Sequence, residues 1–466
     1  MKQKQFLFTA AMCLTGVLGF TSCDDDNDNG ALAPAATPTI VATTSNITED
    51  MAIGDKLILS VEASTTDGGT LTYTWQESSD NGGSWKNIPQ AISVEYTKTL
   101  TAEDLQGKMF RCDIWNVKEG YSAVSVKTEP FLLAVDEYTT GVYVLNSGKF
   151  RSNNSTLTFY DVNDGTVTPN YFRAQNGRQL GDTGQDMVVY GSKTYIAVYA
   201  SNVIEVIDRN GVSLASIQPQ DAGGQPQSPR YLTKAGGNVY VTLFDGHVAK
   251  IDTTTLAITA QVAVGRNPEQ IAVSNNKLFV ANSGGLGWND PNLGYDKTVS
   301  VIDIATFSVV KTVQVVLNPT EVTTDAQGDV YVISMGDYGA IPNTMQRIDP
   351  NTYEVTTVGN ATKMASAGDK IYVYYSQYDA FWNQVITFYE YDAVAETMGT
   401  TSFITDGTVV EQPCSLSVDP LTGDIYVGTS DYTNNGDMYV FSADGKLKNR
   451  FGVGLNPMGA YFLTNK

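Results

Sequence analysis

The chain has 466 residues, enough for two or three domains, and is 42% hydrophobic but only 17% charged, with 42 Gly and 26 Tyr. That balance suits strands and turns better than long helices. The net charge of −21 sets the chain against nucleic acid and bare anionic membrane, and nucleic-acid binding is excluded on that ground.

Residues 1–22 read as a secretory signal. Lys2 and Lys4 open it, Phe6–Phe20 is an apolar run of 15 residues, short for a bilayer-spanning helix, and Thr21-Ser22 precede Cys23. Small residues directly before a cysteine resemble the lipobox of bacterial lipoproteins, with Phe20 where Leu is usual. The resemblance implies acylation of Cys23, and several acyl chains at about 0.8 kcal/mol per buried methylene make a stable anchor. The run Asp24-Asp25-Asp26-Asn27-Asp28 resembles the surface-export tag of Bacteroidetes lipoproteins and serves equally as a solvated tether. Residues 23–37 are read as that acidic, flexible tether. Cys13 leaves with the signal, and Cys112 and Cys414 fall in different domains. No disulfide framework or metal-ligand spacing is available, and both are expected to be buried free thiols.

Residues 38–135 form one compact β unit. Tyr73 and Trp75 alternate with threonines as in a half-buried strand, and a D-N-G-G turn follows at 80–83. Trp85, Tyr96 and Asp104-x-x-Gly107-x-x-Phe110-x-Cys112 complete the markers. This resembles the immunoglobulin-like modules of bacterial surface proteins, whose signature before strand F it carries without the first cysteine of the usual pair. The resemblance implies a β-sandwich spacer with Trp75 against a free Cys112.

From residue 139 to 466 the chain repeats. One strand recurs at Val142, Tyr195, Val239, Leu278, Val330, Ile371 and Ile425, 39 to 54 residues apart. The next recurs up to Asp161, Asp208, Asp252, Asp303, Asp349, Asp392 and Asp444, each read as capping its own turn. Seven such units predict an all-β fold, a seven-bladed β-propeller preceded by the immunoglobulin-like β-sandwich. The first unit lacks its first strand, and N-P-M-G-A-Y-F-L at 456–463 matches N-P-E-Q-I-A-V of the fourth unit. A C-terminal strand at 456–464 is therefore expected to close the ring.

Turns between first and second and between third and fourth strands are short, whereas the opposite face carries long loops at 146–155, 282–297, 334–344, 375–384 and 429–436. Phe150, Trp288, Tyr295, Tyr338, Tyr378, Phe381, Trp382 and Tyr432 converge on that rim. A ring on its own serves to stiffen its loop, but five blades loading one face point to a binding surface for a large, polar-edged ligand or a sugar. Arg151, Arg173, Arg178 and Arg230 fall on or near the same rim, where they either hold an anionic group or pair with local Asp. Catalysis finds no motif: His247 is the sole histidine, and no G-x-S-x-G elbow, C-x-x-C or phosphate loop is present. Calcium through Asp290, Asp296 and Asp337 has no fixed spacing to support it.

The N-P-x-x-I/V, V-Y-V and V-I-D-x-x-T repeat resembles the bacterial YncE-like propellers across 139–466. Together with the lipobox and acidic run, it is similar to the BtuG-type cobalamin-capture lipoproteins of gut Bacteroidetes. The resemblance implies a lipid-anchored, surface-exposed protein of the outer membrane that is no enzyme and needs no cofactor. It would bind cobalamin or a related corrinoid as cargo and pass it to a TonB-dependent outer-membrane transporter of the BtuB type. The same aromatic face suits a glycan- or protein-binding adhesin as the second reading, and a lactonase- or lyase-like propeller is the third.

Overall fold

The structure, a computed structural model, describes residues 32–48, 51–101, 103–105, 107–134, 137–285, 293–379, 381 and 383–465. The signal segment, Cys23 and the acidic run lie outside the described residues, as do Trp288, Asp290 and Trp382. Among the described residues two compact units emerge: 32–46 with Leu57–Lys98 and Met109–Leu132, and 47–56 with Thr99–Lys108 and 133–465.

In the first unit, Thr39–Ser45, Lys56–Ser64 and Glu95–Thr99 make one antiparallel sheet. Thr70–Ser78 and Met109–Val117 form the centre of the other, with Lys86–Asn87, Val124–Lys127 and Phe131–Leu132 at its margins. Trp75 stands opposite Cys112 in register, and its buried ring packs on Tyr96 and Phe131 at centroid distances of 5.8 and 6.0 Å. Burial pushes the Cys112 thiol up to about 12, so it behaves as a small apolar side chain.

In the second unit, among the described residues, seven four-stranded antiparallel sheets follow one another as the blades of a propeller. The first strands of blades two to seven are Gly184–Tyr190, Pro229–Ala235, Pro268–Ser274, Pro319–Thr324, Lys363–Ala367 and Pro413–Val418. The second strands of blades one to seven are Thr139–Asn146, Lys193–Val198, Asn238–Leu243, Lys277–Asn282, Val330–Ser334, Lys370–Tyr378 and Ile425–Thr429. The second strands are almost wholly buried because both of their faces meet a neighbouring blade, which is why V-Y-V runs carry no polar alternation. Val239, Val241 and Leu243 of blade three, for instance, close a core with Tyr195, Ile204 and Val206 of blade two.

Blade one takes its first strand from the far end of the chain. Pro457–Thr464 pairs antiparallel with Thr139–Asn146, setting Ala460 against Val144 and Tyr461 against Tyr143. Val142, Val144 and Ala460 share a buried cluster with Tyr426, Met438, Val440 and Phe451 of blade seven, so the ring is closed by packing as well as by hydrogen bonds. The Phe462 ring also meets Tyr426 edge-on at 5.2 Å.

The turn aspartates do as their position suggests in six blades. Asp208 accepts from Asn210 N at 2.8 Å and Val212 N at 2.9 Å, and Asp161, Asp252, Asp303, Asp349 and Asp392 cap their turns similarly. Blade seven differs. There Ser442 holds the capping position, accepting from Lys446 N at 3.3 Å, and Asp444 binds the Lys446 ammonium at 2.6 Å.

Removing residues 457–466 strips blade one of its inner strand and exposes the cluster under Ala460 and Phe451. The expected outcome in a circular-dichroism melt is loss of the cooperative transition or a drop of about 10 °C or more in Tm. A melt that matches the full chain would contradict closure by this strand.

Candidate functional site

A recurring backbone device shapes the centre of the loop-rich face. In six blades the residue before the first strand is left-handed: Thr183, Ser228, Asn267, Asn318, Gln412 and Asn456 have φ between 48 and 63°. Asparagine tolerates that conformation better than most side chains, which gives the N-P pairs a physical reason. The carbonyl of each such residue accepts the N–H of the residue just past the second strand. Tyr199 N reaches Thr183 O at 2.8 Å, Phe244 N reaches Ser228 O at 3.0 Å, and Met335 N reaches Asn318 O at 2.8 Å. In blade six the Thr362 hydroxyl accepts from Ser376 N at 3.0 Å. Side chains at this one repeat position are thereby held at the ring centre on independent blades.

Tyr199, Phe244, Ser283 and Met335, from blades two to five, line a cavity of about 660 Å³. Its rings include Tyr199, Phe244, Tyr295, Tyr338, Tyr374 and Tyr432, and its charged groups are Arg230, Glu269, Glu321 and Lys363. The charged residues come from the first strands of blades three to six: Lys363 opens its strand, and Arg230, Glu269 and Glu321 lie one or two positions after the opening proline of theirs. A bulge at that point breaks the strict alternation, as between Pro229 and Leu232 and between Pro319 and Glu321.

Arg230 lies among rings, 5.0 Å from each of the Tyr199 and Phe244 centroids. Its Nε donates to Glu269 Oε2 at 3.0 Å, its Nη2 reaches the same oxygen, and its Nη1 donates to Gln185 Oε1 at 2.9 Å. Burial opposes the guanidinium charge, but Glu269, Tyr231 and Tyr199 together outweigh it and hold Arg230 above its ordinary value. Burial raises the Glu269 carboxyl while Arg230 opposes the rise. With two guanidinium donors on one oxygen, the ionised pair is the state the geometry supports. Lys363 pairs with Glu321, and that carboxylate, with Tyr231 and Tyr374, likewise offsets burial and holds the ammonium above its ordinary value. Cys414 joins the wall with its thiol pushed by burial up to about 12.

Beside this wall Asp186 accepts from Leu232 N and the Tyr461 hydroxyl, both at 2.8 Å. Asp186 keeps partial surface access, yet it lies deep in the ring, and burial pushes its carboxyl up to about 7 against the pull of those two donors.

Of the residues expected at the rim, Phe150, Arg230, Tyr295, Tyr338 and Tyr432 line the cavity. Tyr295 and Tyr338 meet edge-on at 6.1 Å. Tyr378 and Phe381 stand outside the lining, and Phe381 is 84% exposed. Arg151 also stands outside; its backbone N–H is fixed by Asp182 at 3.0 Å and its guanidinium lies 5.1 Å over Phe150. Arg173 sits on a short helix, Tyr171–Asn176, that the strand pattern did not foresee. Asn176 ties that helix to the turn at Gly211, between the third and fourth strands of blade two, away from the cavity. Arg178 is committed to Glu205 and Ser213. Trp288 and Trp382 lie outside the described residues. Tyr199, Phe244, Tyr374, Glu269, Glu321 and Lys363 escaped sequence reasoning, although the column just past each second strand, holding Tyr199, Phe244 and Met335, would have found part of the wall.

The rim loops are stiffened by aspartates. Asp337 accepts from Ile341 N at 2.8 Å, Asp379 from Phe381 N at 2.8 Å, and Asp431 from Asn434 N at 2.7 Å. The Ile341 N–H, the Asn383 side chain and the Asn434 N–H lead in holding these three carboxyls below the ordinary range. Tyr338 and Tyr432 themselves are left-handed, with φ of 55 and 61°, a conformation that bulky residues keep only where surroundings enforce it. Asp296 and Asp337 cap loop turns, and among the described residues no group of three His, Cys, Asp or Glu is placed to hold a metal ion.

Two outcomes follow from this geometry. Gly336 is left-handed at φ 63°, and a Cβ there would collide with the Ile341 carbonyl oxygen. Gly336→Ala should therefore displace the loop bearing Tyr338 while lowering global stability by only about 1 kcal/mol, read as altered Tyr338 surface labelling beside a nearly unchanged Tm. Asp186 has a folded value near 7, above the roughly 3.9 of an unfolded chain, so the folded state binds the extra proton and stability declines as pH rises between those values. Urea midpoints should fall from pH 5 to pH 8 in the wild type, and Asp186→Asn, whose amide keeps both partners, should flatten that slope; an unchanged slope would contradict the assignment.

A comparison with curated proteins returned no match. Among solved structures, Kuenenia stuttgartiensis Hydrazine Synthase is similar at 15% identity and a TM-score of 0.49, over 59% of this chain and 88% of that chain. Nothing about chemistry carries over from a likeness of that size. The family described as Domain of unknown function (DUF5074) matches residues 140–456, from the second strand of blade one to the end of blade seven. With more than half of its length matched, the chain belongs to that DUF5074 family.

Proposed function

We propose that this protein captures a small organic ligand on the loop-rich face of its propeller, and that the ligand is cobalamin or a related corrinoid. The observation that carries the reading is the cavity of about 660 Å³, walled by rings from several blades and by uncharged or charge-compensated polar groups. That volume falls within the roughly 300–1,000 Å³ of ordinary ligand sites. A corrin is larger, and would rest one apolar face on the rings while its amide arms reach Asn, Gln and Ser at the edge. The capped rim loops favour tight binding, since a wall already ordered avoids about 0.5–1.5 kcal/mol per side chain otherwise immobilised on binding. Resemblance of the repeat to YncE-like and BtuG-type propellers supports the corrinoid. The lipobox-like Thr21-Ser22-Cys23 and the acidic run support a lipid-anchored protein at the cell surface that hands its cargo to a TonB-dependent transporter of the BtuB type.

A second reading, an adhesin for glycan or protein, draws on Phe381 and Tyr378, which are exposed outside the cavity. Calorimetry separates the two. Cyanocobalamin should bind the wild type, and Phe244→Ala or Tyr338→Ala should weaken it at least about tenfold, the loss of one buried ring contact. Absence of binding by the wild type would remove the corrinoid reading and leave the adhesin, and weakening by Phe381→Ala alone would move the corrinoid site out of the cavity.

A further inference from the structure

Four charged side chains stand in the cavity wall on the first strands of consecutive blades, and their pairing leaves hydrogen-bond donors without net charge. Arg230 spends three of its N–H groups on Glu269 and Gln185, and Lys363 spends one on Glu321. A guanidinium has five donors and an ammonium three, so each cation keeps two more. Neither side chain is sealed off: Arg230 is 18% exposed and Lys363 32%, whereas their partners Glu269 and Glu321 are 9% and 4% exposed. Ion pairs taken out of water are poor stabilisers, because apolar residues of similar volume do as well or better. Two such pairs in one wall therefore call for a role beyond holding the fold.

We infer that the Arg230–Glu269 and Lys363–Glu321 pairs form a polarity filter, which admits neutral ligands rich in carbonyl oxygen and turns anions away. The spare N–H groups of Arg230 and Lys363 are the donors to those oxygens. A carbonyl gains charge-assisted bonds from them without disturbing either pair. A carboxylate or sulfonate would meet Glu269 and Glu321 across a wall of low dielectric, and the repulsion cancels what the cations offer. This deepens the small-molecule reading above and rests on it, naming the class of ligand the site takes.

The test uses the full mature chain and two fluorescent probes that differ only as amide against carboxylate, 7-methoxycoumarin-4-acetamide and 7-methoxycoumarin-4-acetic acid. Binding to the cavity is identified by its loss in Phe244→Ala. The wild type should bind the neutral probe at least about tenfold more tightly than the anionic one, and Glu321→Gln or Glu269→Gln should bring the two within about threefold by freeing a cation. Both variants keep an oxygen facing the cation, and either one that melts as the wild type does decides the matter. In parallel, the wild type should prefer cyanocobalamin to its monocarboxylic acid derivative, and Lys363→Met combined with Glu321→Gln, which leaves no buried charge unpaired, should weaken cyanocobalamin more than Glu321→Gln alone. Equal binding of both probes by the wild type, binding of neither, or a preference unmoved in both glutamine variants would overturn the filter. If the probes sort as expected while cyanocobalamin does not bind, the corrinoid reading falls and the filter stands.

Discussion

The pairing of Pro457–Thr464 with Thr139–Asn146 is the contact on which the rest of the second unit depends. A single four-stranded blade buries too little to persist alone, and each one here is stabilised by the apolar faces of its two neighbours. A ring shares that dependence around a circle, so the junction between the chain's ends governs the whole. It governs the cavity too, because the wall is assembled from first strands that keep their positions only while the ring is shut. Tyr461 shows the link directly: it belongs to the closing strand and donates its hydroxyl to Asp186 of blade two.

Most of the fold was legible because the strands repeat a chemical pattern with a physical cause. Buried second strands demand continuous Val, Ile and Tyr, turns demand Asp, and the left-handed residue before a first strand favours Asn. Residues 456–463 could be matched to the fourth unit through that last signal alone. The short helix at Tyr171–Asn176 was not legible, since six residues show too little period, and it forms because Phe172 is drawn into the core between blades one and two. The capping position in blade seven was misplaced by two residues because Asp444 mimics the pattern that Ser442 fulfils.

The site was legible in part, and the division is instructive. Loop aromatics such as Tyr338 and Tyr432 announce themselves by breaking an otherwise regular repeat. Tyr199 and Phe244 do not, because they close strands and look like core. The charged arc was hidden by distance: Arg230 and Glu269 are separated by one whole blade in sequence, and the bulge after the opening proline conceals which way they face. Arginines in an acidic chain left two readings open, holding an anionic group or pairing with local Asp, and Arg230 pairs with an acid, Glu269. The structure shows it compensated, and the expected chemistry of the ligand shifts accordingly from charge to neutral acceptors.

Hydrogen exchange on the full chain with and without cyanocobalamin tests most directly the claim that the cavity-bearing face is a ligand site. Added protection should concentrate in the loops at 334–344 and 429–436 and around Tyr199 and Phe244, with the tight turns of the opposite face unchanged. Protection confined to that opposite face, or none at saturating ligand, would contradict the account.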